Sequence, residues 1–140
     1  MRLTAVEVGF FEDREDEEIL DVAFTGTDEA GERRSFSVQR STHEPDEQDV
    51  RLGMDSYCVS TERGFSAYGC LSRVRLGGGV LTLEFTPEDA DVLEIPRVVE
   101  IDLAGSAVDE GEVSRLLRDA LDWGSPSKRP ELVLSGGRPH

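Results

Sequence analysis

Short segments in which apolar and polar residues alternate recur along this chain, and they constrain its fold more than any other feature. The apolar side chains stand two positions apart, the period that places them on one face of a β-strand. The clearest segments carry Val6, Val8 and Phe10; Leu20, Val22 and Phe24; Leu81, Leu83 and Phe85; and Val99, Ile101 and Leu103. The chain is therefore predicted to consist mainly of half-buried strands.

Turn residues between these segments predict that consecutive strands form hairpins. A dense acidic stretch, E-D-R-E-D-E-E at residues 12–18, separates the first two strands. Like charges this close together need water, which is typical of a solvated turn. A second hairpin is predicted from residues 54–61 and 65–76, with Gly64 in the turn and Gly69 marking a bulge.

Three segments carry helix signals. Residues 42–53 hold no strand pattern, and Pro45 and Gly53 suit the start and end of a short helix. The sequence T-P-E-D at residues 86–89 combines a capping hydroxyl with a proline at the first helical position, and predicts a second short helix. Residues 106–121 begin with a capping box and continue as an amphipathic helix. Its apolar stripe consists of Val113, Leu116, Leu117, Ala120 and Leu121.

Together these elements predict an α+β fold. We expect a mainly antiparallel sheet of about six to eight strands, one C-terminal amphipathic helix packed on a face, and one or two short helical turns. The length of 140 residues fits a single domain. We assign residues 1–124 to this domain and residues 125–140, rich in proline and glycine, to a C-terminal tail that the fold can lose. Alternatively, Leu132, Val133 and Leu134 add an edge strand.

The charge of the chain limits its partners. Thirty acidic and fifteen basic residues give a formal net charge of -15. Such a field repels nucleic acid and anionic membranes and speeds encounter with a basic partner, although solubility alone also accounts for it. No apolar run approaches the roughly 18 residues that span a bilayer, and the N-terminus lacks a secretory signal. We therefore expect a cytoplasmic protein, in which Cys58 and Cys70 stay reduced.

Residues suited to catalysis or to metal binding do not form a pattern in the sequence. His43 and His140 are the only histidines, and His43 lies beside an acidic turn without a nucleophile signature. The glycines at 77–79 join two strands and do not open a helix, so they do not predict a phosphate site. The spacing of Asp46 and Asp49 does not match a calcium loop. We expect no catalytic residues, no metal site and no cofactor.

Two short motifs carry the most information about function. Residues 46–59 read D-E-Q-D-V-R-L-G-M-D-S-Y-C-V, an acidic turn followed by an L-G-M-D corner and an extended strand, and residues 67–71 read A-Y-G-C-L. The set resembles the tenth family of immunity proteins from bacterial polymorphic toxin systems, over about residues 36–121. One position departs from the family pattern, since Cys70 stands where a second glycine is expected after Gly69.

The resemblance implies a small protein that binds and neutralises a cognate toxin made by the same cell. We expect inhibition by stoichiometric binding, with an acidic surface that occludes the toxin's active site, and no catalysis. Many toxins of such systems attack nucleic acids and carry basic clefts, which an acidic surface would complement.

The residues predicted to contact the toxin lie in or near the two motifs. They are Asp46, Glu47, Asp49, Asp55, Tyr57 and Tyr68. Aromatic side chains ringed by carboxylates are typical of binding hot spots for a basic protein. Tyrosines in strands also pack across a sheet, and both interpretations of this pair stay open.

Two other functions remain open from the sequence. A small-molecule-binding or chaperone-like acidic module would be favoured by a deep apolar pocket lined by Tyr57, Tyr68 and Cys70. A hydrolase would be favoured by buried carboxylates that converge on a metal. Its candidate carboxylates are Asp46, Asp49 and Asp55.

Overall fold

The computed structural model describes residues 1–16 and 18–134, and within these ranges the chain forms nine strands and three α-helices. The strands are β1 (Arg2–Asp13), β2 (Ile19–Asp28), β3 (Arg33–Ser41), β4 (Cys58–Thr61), β5 (Ser66–Tyr68), β6 (Leu71–Gly77), β7 (Val80–Phe85), β8 (Val98–Asp102) and β9 (Glu131–Leu134). The α-helices are α1 (Glu47–Arg51), α2 (Pro87–Leu93) and α3 (Glu110–Leu121). Short 3₁₀ turns occupy Ala104–Ser106 and Pro126–Lys128.

All of these strands belong to one sheet, in the order β5-β4-β3-β2-β1-β8-β7-β6-β9. Neighbours in the described sheet are antiparallel except for β1–β8 and β6–β9, which are parallel. The predicted strand-rich α+β fold is present, but the sheet is mixed. Both parallel pairs join strands far apart in sequence, and hairpin signals concern only consecutive strands.

The predicted second hairpin breaks at Gly69. β5 pairs with β4 at one edge of the sheet, whereas β6 begins at Leu71 and lies between β7 and β9. Gly69 has a φ of 59°, in the left-handed region that glycine adopts without strain. Only Gly69 and Cys70 therefore link β5, the first strand in the sheet order, to β6, the eighth. Two residues can span only a short distance, so the sheet must curl back on itself and bring these two strands together. This break is one reason that the described sheet has more strands than the predicted six to eight.

The predicted inward face of β1 is correct only in part. A register shift against β2 between Ala5 and Glu7 leaves Val6 exposed on the surface. Ala5 lies in the core before this bulge, and Val8 packs partly against the core after it. Before the bulge the odd-numbered side chains of β1 point into the core, and after it the even-numbered ones do. One extra residue in a strand always reverses the faces in this way.

α3 is the predicted amphipathic helix, but it begins at Glu110 and not at residue 106. Asp109 caps it, since the Glu112 N–H donates to Asp109 Oδ2 (3.1 Å). The Ser106 hydroxyl instead donates to the Leu103 carbonyl (2.7 Å) within a 3₁₀ turn. The helix packs against β2, β3 and β6. Its predicted stripe is buried as a whole, comprising Val113, Leu116, Leu117, Ala120 and Leu121.

The two short helices lie where the sequence predicts them. α2 starts with Pro87 after the cap Thr86, whose Oγ1 accepts a hydrogen bond from Asp89 N–H (3.3 Å). α1 occupies the acidic segment after Pro45. In the part of the chain that the structure describes, none of the helices has the length and apolar character needed to cross a membrane.

The segment predicted as a tail begins with regular structure. Glu131–Leu134 forms β9, which pairs in parallel with β6 from Arg73 to Leu76. Pro130 is buried just before it. The structure therefore shows the edge strand that was the alternative to a tail, and the boundary predicted at residue 124 falls before it. The last part of the predicted tail, residues 135–140, lies outside the described residues.

Candidate protein-binding surface

The acidic motif folds into α1 because two of its carboxylates cap the helix. The Asp49 N–H donates to Asp46 Oδ1 (2.8 Å), and the Asp46 N–H donates to Asp49 Oδ2 (3.0 Å). This reciprocal pair is a capping box, which satisfies two N–H groups that a helix start leaves free. Gly53, with a φ of 74°, ends the turn after the helix. Asp46 and Asp49 thus have a structural role in addition to their charge.

α1 presents apolar side chains to solvent beside its carboxylates. Val50 of α1 and Leu52 and Met54 just after it are exposed, by 58%, 60% and 40%. Exposed apolar groups next to charged ones are a common mark of a protein-binding site. We name this region the α1 surface; it comprises Asp46, Glu47, Asp49, Val50, Leu52, Met54 and Tyr68.

A pocket of about 150 Å³ lies between α1 and the outer face of the sheet. Its wall combines carboxylates, the guanidinium of Arg40, a thioether, an aromatic ring and small polar side chains. The lining residues that matter here are Glu18, Gln39, Asp49, Met54, Cys58 and Tyr68. The pocket therefore brings two predicted contact residues, Asp49 and Tyr68, together with Glu18, the residue before β2. It has room for one side chain of a partner.

The environment of His43 shows that negative charge converges here. Its ring lies 3.0 Å from the Glu44 carbonyl at Nδ1. This hydrogen bond raises the pKa of His43, and the carboxylates of Glu18, Asp49 and Asp46 raise it further. Among the described residues, neither Asp46 nor Asp49 forms an ion pair with Arg or Lys. The α1 surface can therefore attract a basic group from outside.

Tyr68 ends a row of side chains that crosses the outer face of the sheet. It is 40% exposed, and partial burial raises the pKa of its hydroxyl, with Cys58 and Asp49 adding to the effect. The strand registers align one residue from each of five strands in this row. The row is Phe11, Asp21, Gln39, Cys58 and Tyr68.

Asp55 does not belong to the exposed surface, contrary to the prediction. It is only 7% exposed, and its Oδ1 accepts a hydrogen bond from Lys128 Nζ at 2.5 Å. That bond lowers the pKa of the Asp55 carboxyl below its usual value. Asp55 instead holds the segment that leads into β9, so we leave it out of the binding surface.

Tyr57 is a core residue and is also corrected. It is fully buried, and its hydroxyl accepts the Leu71 N–H (2.9 Å) and donates to the Leu71 carbonyl (3.3 Å). Burial strongly raises the pKa of this hydroxyl. The side chain joins β6 to the residue before β4. Of the two open interpretations, sheet packing therefore applies to Tyr57, whereas Tyr68 keeps an exposed position.

The two cysteines lie on different sides of the sheet. Cys58 is half-buried in the outer pocket, whereas Cys70 is buried in the core, and the two are not bonded to each other. Burial raises the pKa of both thiols. Together with the burial of Tyr57, this removes the predicted apolar pocket lined by Tyr57, Tyr68 and Cys70. The outer pocket is also smaller than the roughly 300–1,000 Å³ of typical small-molecule sites.

Sequence reasoning missed Arg40, a mostly buried cation that forms part of the pocket wall. Its guanidinium donates to the Asp119 carbonyl (2.8 Å) and Oδ1 (2.9 Å) and to the Ser41 carbonyl (2.8 Å). It also lies 5.6 Å from the centre of the Trp123 ring, within cation–π distance. Arg40 lies two residues after Val38, so strand alternation places it on the same inward face of β3. This alternation could have predicted its burial.

The carboxylates proposed for a hydrolase have other partners. Asp46 and Asp49 cap α1, and Asp55 binds Lys128. In residues 1–16 and 18–134, no group of three or more His, Cys, Asp and Glu side chains is arranged to hold a metal ion.

Comparison with known families identifies a match. The family model described as immunity protein 10 matches residues 4–111, from β1 to the start of α3, and so includes the α1 surface. The match begins earlier than the resemblance found in the sequence motifs and ends earlier as well. Searches of curated proteins and of solved structures gave no match. Since the family model covers most of the chain, this protein belongs to the immunity protein 10 family.

Proposed function

We propose that this chain is an immunity protein that binds a cognate polymorphic toxin one to one and blocks the toxin's active site. The observation that carries this proposal is the α1 surface, where exposed apolar side chains lie beside carboxylates within the region that the family model matches. The protein acts without catalysis, in the cytoplasm of the cell that makes the toxin.

Charge supports a basic partner. The chain carries a formal net charge of -15, and the carboxylates of Glu18 and Asp49 line the pocket beside α1. A toxin that cleaves nucleic acid has a basic cleft, which the α1 surface complements in charge. In this proposal Leu52, Met54 and Tyr68 supply the apolar contacts and the carboxylates guide the approach.

The capping role of Asp46 and Asp49 decides how the proposal is tested. Lysine at either position would remove the capping box. A loss of affinity could then come either from unfolding of α1 or from the loss of a contact with the toxin. Asparagine caps a helix as well as aspartate does. The triple variant Asp46→Asn, Glu47→Lys and Asp49→Asn therefore removes the local negative charge and keeps α1. We expect its affinity for the inactivated cognate toxin, measured by calorimetry, to fall about tenfold or more.

A matched control separates local contact from net charge. Glu88→Gln, Asp91→Asn and Glu94→Lys make the same change in charge on α2 and on its C-cap, Glu94, and these three side chains are exposed. We expect this control to lose about threefold or less in affinity. Equal losses for both variants, or an unchanged affinity for the α1 variant with an intact circular dichroism spectrum, would remove the α1 surface from the interface.

Association with the toxin is expected to slow as salt rises. Long-range attraction between exposed charges is screened beyond about 10 Å at 0.1 M ionic strength. Stopped-flow measurements should therefore show the association rate constant falling steeply with salt, while the dissociation rate constant changes little. An association rate that stays flat between low and high salt would show that the acidic charge serves solubility alone.

A further inference from the structure

The distal half of β1 has a hydrogen-bonding edge that the rest of the described chain leaves open. β1 pairs with β2 as far as Asp13, but it pairs with β8 only from Arg2 to Thr4. For residues 8–12, V-G-F-F-E, the described residues supply neither a second strand nor a loop backbone bond. The N–H and C=O groups that point away from β2 are therefore available to a partner.

The bulge at Val6 explains why β8 does not cover this edge. The register shift between Ala5 and Glu7 bends the strand and increases its twist. The 3₁₀ turn Ala104–Ser106 follows β8 and contacts β1 close to Ala5. The chain thus leaves the side of β1 at the bulge, and residues 8–12 continue past it.

The side chains on this edge differ from those that proteins use to protect an edge strand. Natural edges are usually blocked by lysine, proline or inward-pointing charge. Here Phe10 is 46% and Phe11 is 48% exposed. Register places Phe10 on the face of Val22 and Phe11 on the face of Asp21, so an aromatic ring borders the edge on each side. Gly9, Phe10 and Phe11 also line a shallow pocket of about 230 Å³.

We propose that residues 8–12 of β1 bind an extended segment of a basic partner protein, which adds a strand to the open edge. Main-chain hydrogen bonds would supply affinity and the two phenylalanines would select apolar side chains on alternate positions of the added strand. This inference rests on the proposed function for the partner's identity, the cognate toxin. It adds a second contact region to the α1 surface.

Charge argues that the added strand is basic and that a second copy of this chain does not occupy the edge. Glu7 precedes residues 8–12 and Glu12, which pairs with Arg14, ends them, and Glu15 and Asp16 follow in the turn. Antiparallel pairing of two copies would bring these acidic ends together on two chains of net charge -15 each, which repel one another. A strand with lysine or arginine at its ends would be attracted instead.

The open edge and the α1 surface can serve one partner. Phe11 and Tyr68 occupy the two ends of the same outer row. Strands lie about 4.8 Å apart, so four steps separate the two residues by roughly 19 Å along the sheet. A standard interface of about 800 Å² on each partner covers that distance.

Amide hydrogen exchange followed by NMR tests the proposal directly. In free protein, amides of residues 8–12 that point to β2 should be protected and the alternating outward amides should exchange fast. With the inactivated toxin domain bound, the outward amides should slow by at least about tenfold. If the toxin binds and these amides stay fast, the edge proposal is overturned and the proposed function stands. A chain that does not bind the toxin overturns both.

Two further measurements complete the test. Phe11→Ser should weaken toxin binding about tenfold. Val133→Ser, at an exposed apolar residue of β9, four positions from β1 in the sheet order, should leave it unchanged. Equal effects of the two substitutions would contradict the proposal. Outward amides that become protected in free protein as its concentration rises, with a dimer in sedimentation, would show that a second copy fills the edge and would also overturn it.

Discussion

Replacing Leu117 with alanine is expected to lower the free energy of unfolding by about 2–5 kcal/mol. Leu117 is fully buried at the centre of the α3 stripe, and α3 packs on β2, β3 and β6. Because the sheet curls around this helix, the walls of the new cavity belong to both halves of the sheet and cannot easily close. A domain of this size has about 5–15 kcal/mol of stability in total, so the loss is a large fraction of it.

Arg118 provides the matched control on the same helix. Its side chain is exposed, and Arg118→Ala should change stability by about half a kcal/mol or less. Denaturant unfolding of the two variants and of the unaltered protein gives both values. The folded fraction of Leu117→Ala should still bind toxin normally. Equal denaturant midpoints for Leu117→Ala and the unaltered protein would mean that α3 does not pack on the core and that its apolar face is free for binding.

Local signals in the sequence predicted the elements better than their arrangement. Alternation found most of the strands, and the hydroxyl and proline at Thr86 and Pro87 set the start of α2. The break at Gly69 and the parallel partners of β1 and β6 were not predictable in this way. These features depend on which distant strands bury each other's faces, and a hairpin pattern carries no information about that.

The candidate surface shows the same limit at the scale of single residues. Tyr57 and Tyr68 were predicted to act together because they lie in the two neighbouring motifs. The alternation of side chains along the strands places them on opposite faces of the sheet. Tyr57 and Val59 point inward and Cys58 points outward with its partner Tyr68. Asp55 was predicted to be exposed like the neighbouring acidic residues. Its partner Lys128 lies 73 positions away, so no local pattern in the sequence indicates their ion pair. Short-range spacing predicted the acidic helix α1, whereas burial depended on tertiary contacts.

A chain that ends at Gly124 is expected to be markedly less stable than one that ends at Leu134. Both lack residues 135–140, so the difference between them reports on residues 125–134 alone. The shorter chain loses β9, whose Leu132 and Leu134 pack against the core, and it exposes the outer edge of β6. It also leaves Asp55, which is buried beside the strand, without Lys128.

We expect the melting temperature of the shorter chain to lie about 6 °C or more below that of the longer one, which corresponds to roughly 2 kcal/mol for a domain of this size. Differential scanning calorimetry at one protein concentration measures the difference.

If the shorter chain does not fold at all, Leu132→Ser in the full chain gives a milder form of the same test, since it keeps Lys128 and the backbone of β9. Its melting temperature should fall, because the half-buried leucine beside Val74 loses its apolar contacts. If both truncated chains melt together and Leu132→Ser changes nothing, β9 contributes no stability, and residues 1–124 are the whole folding unit.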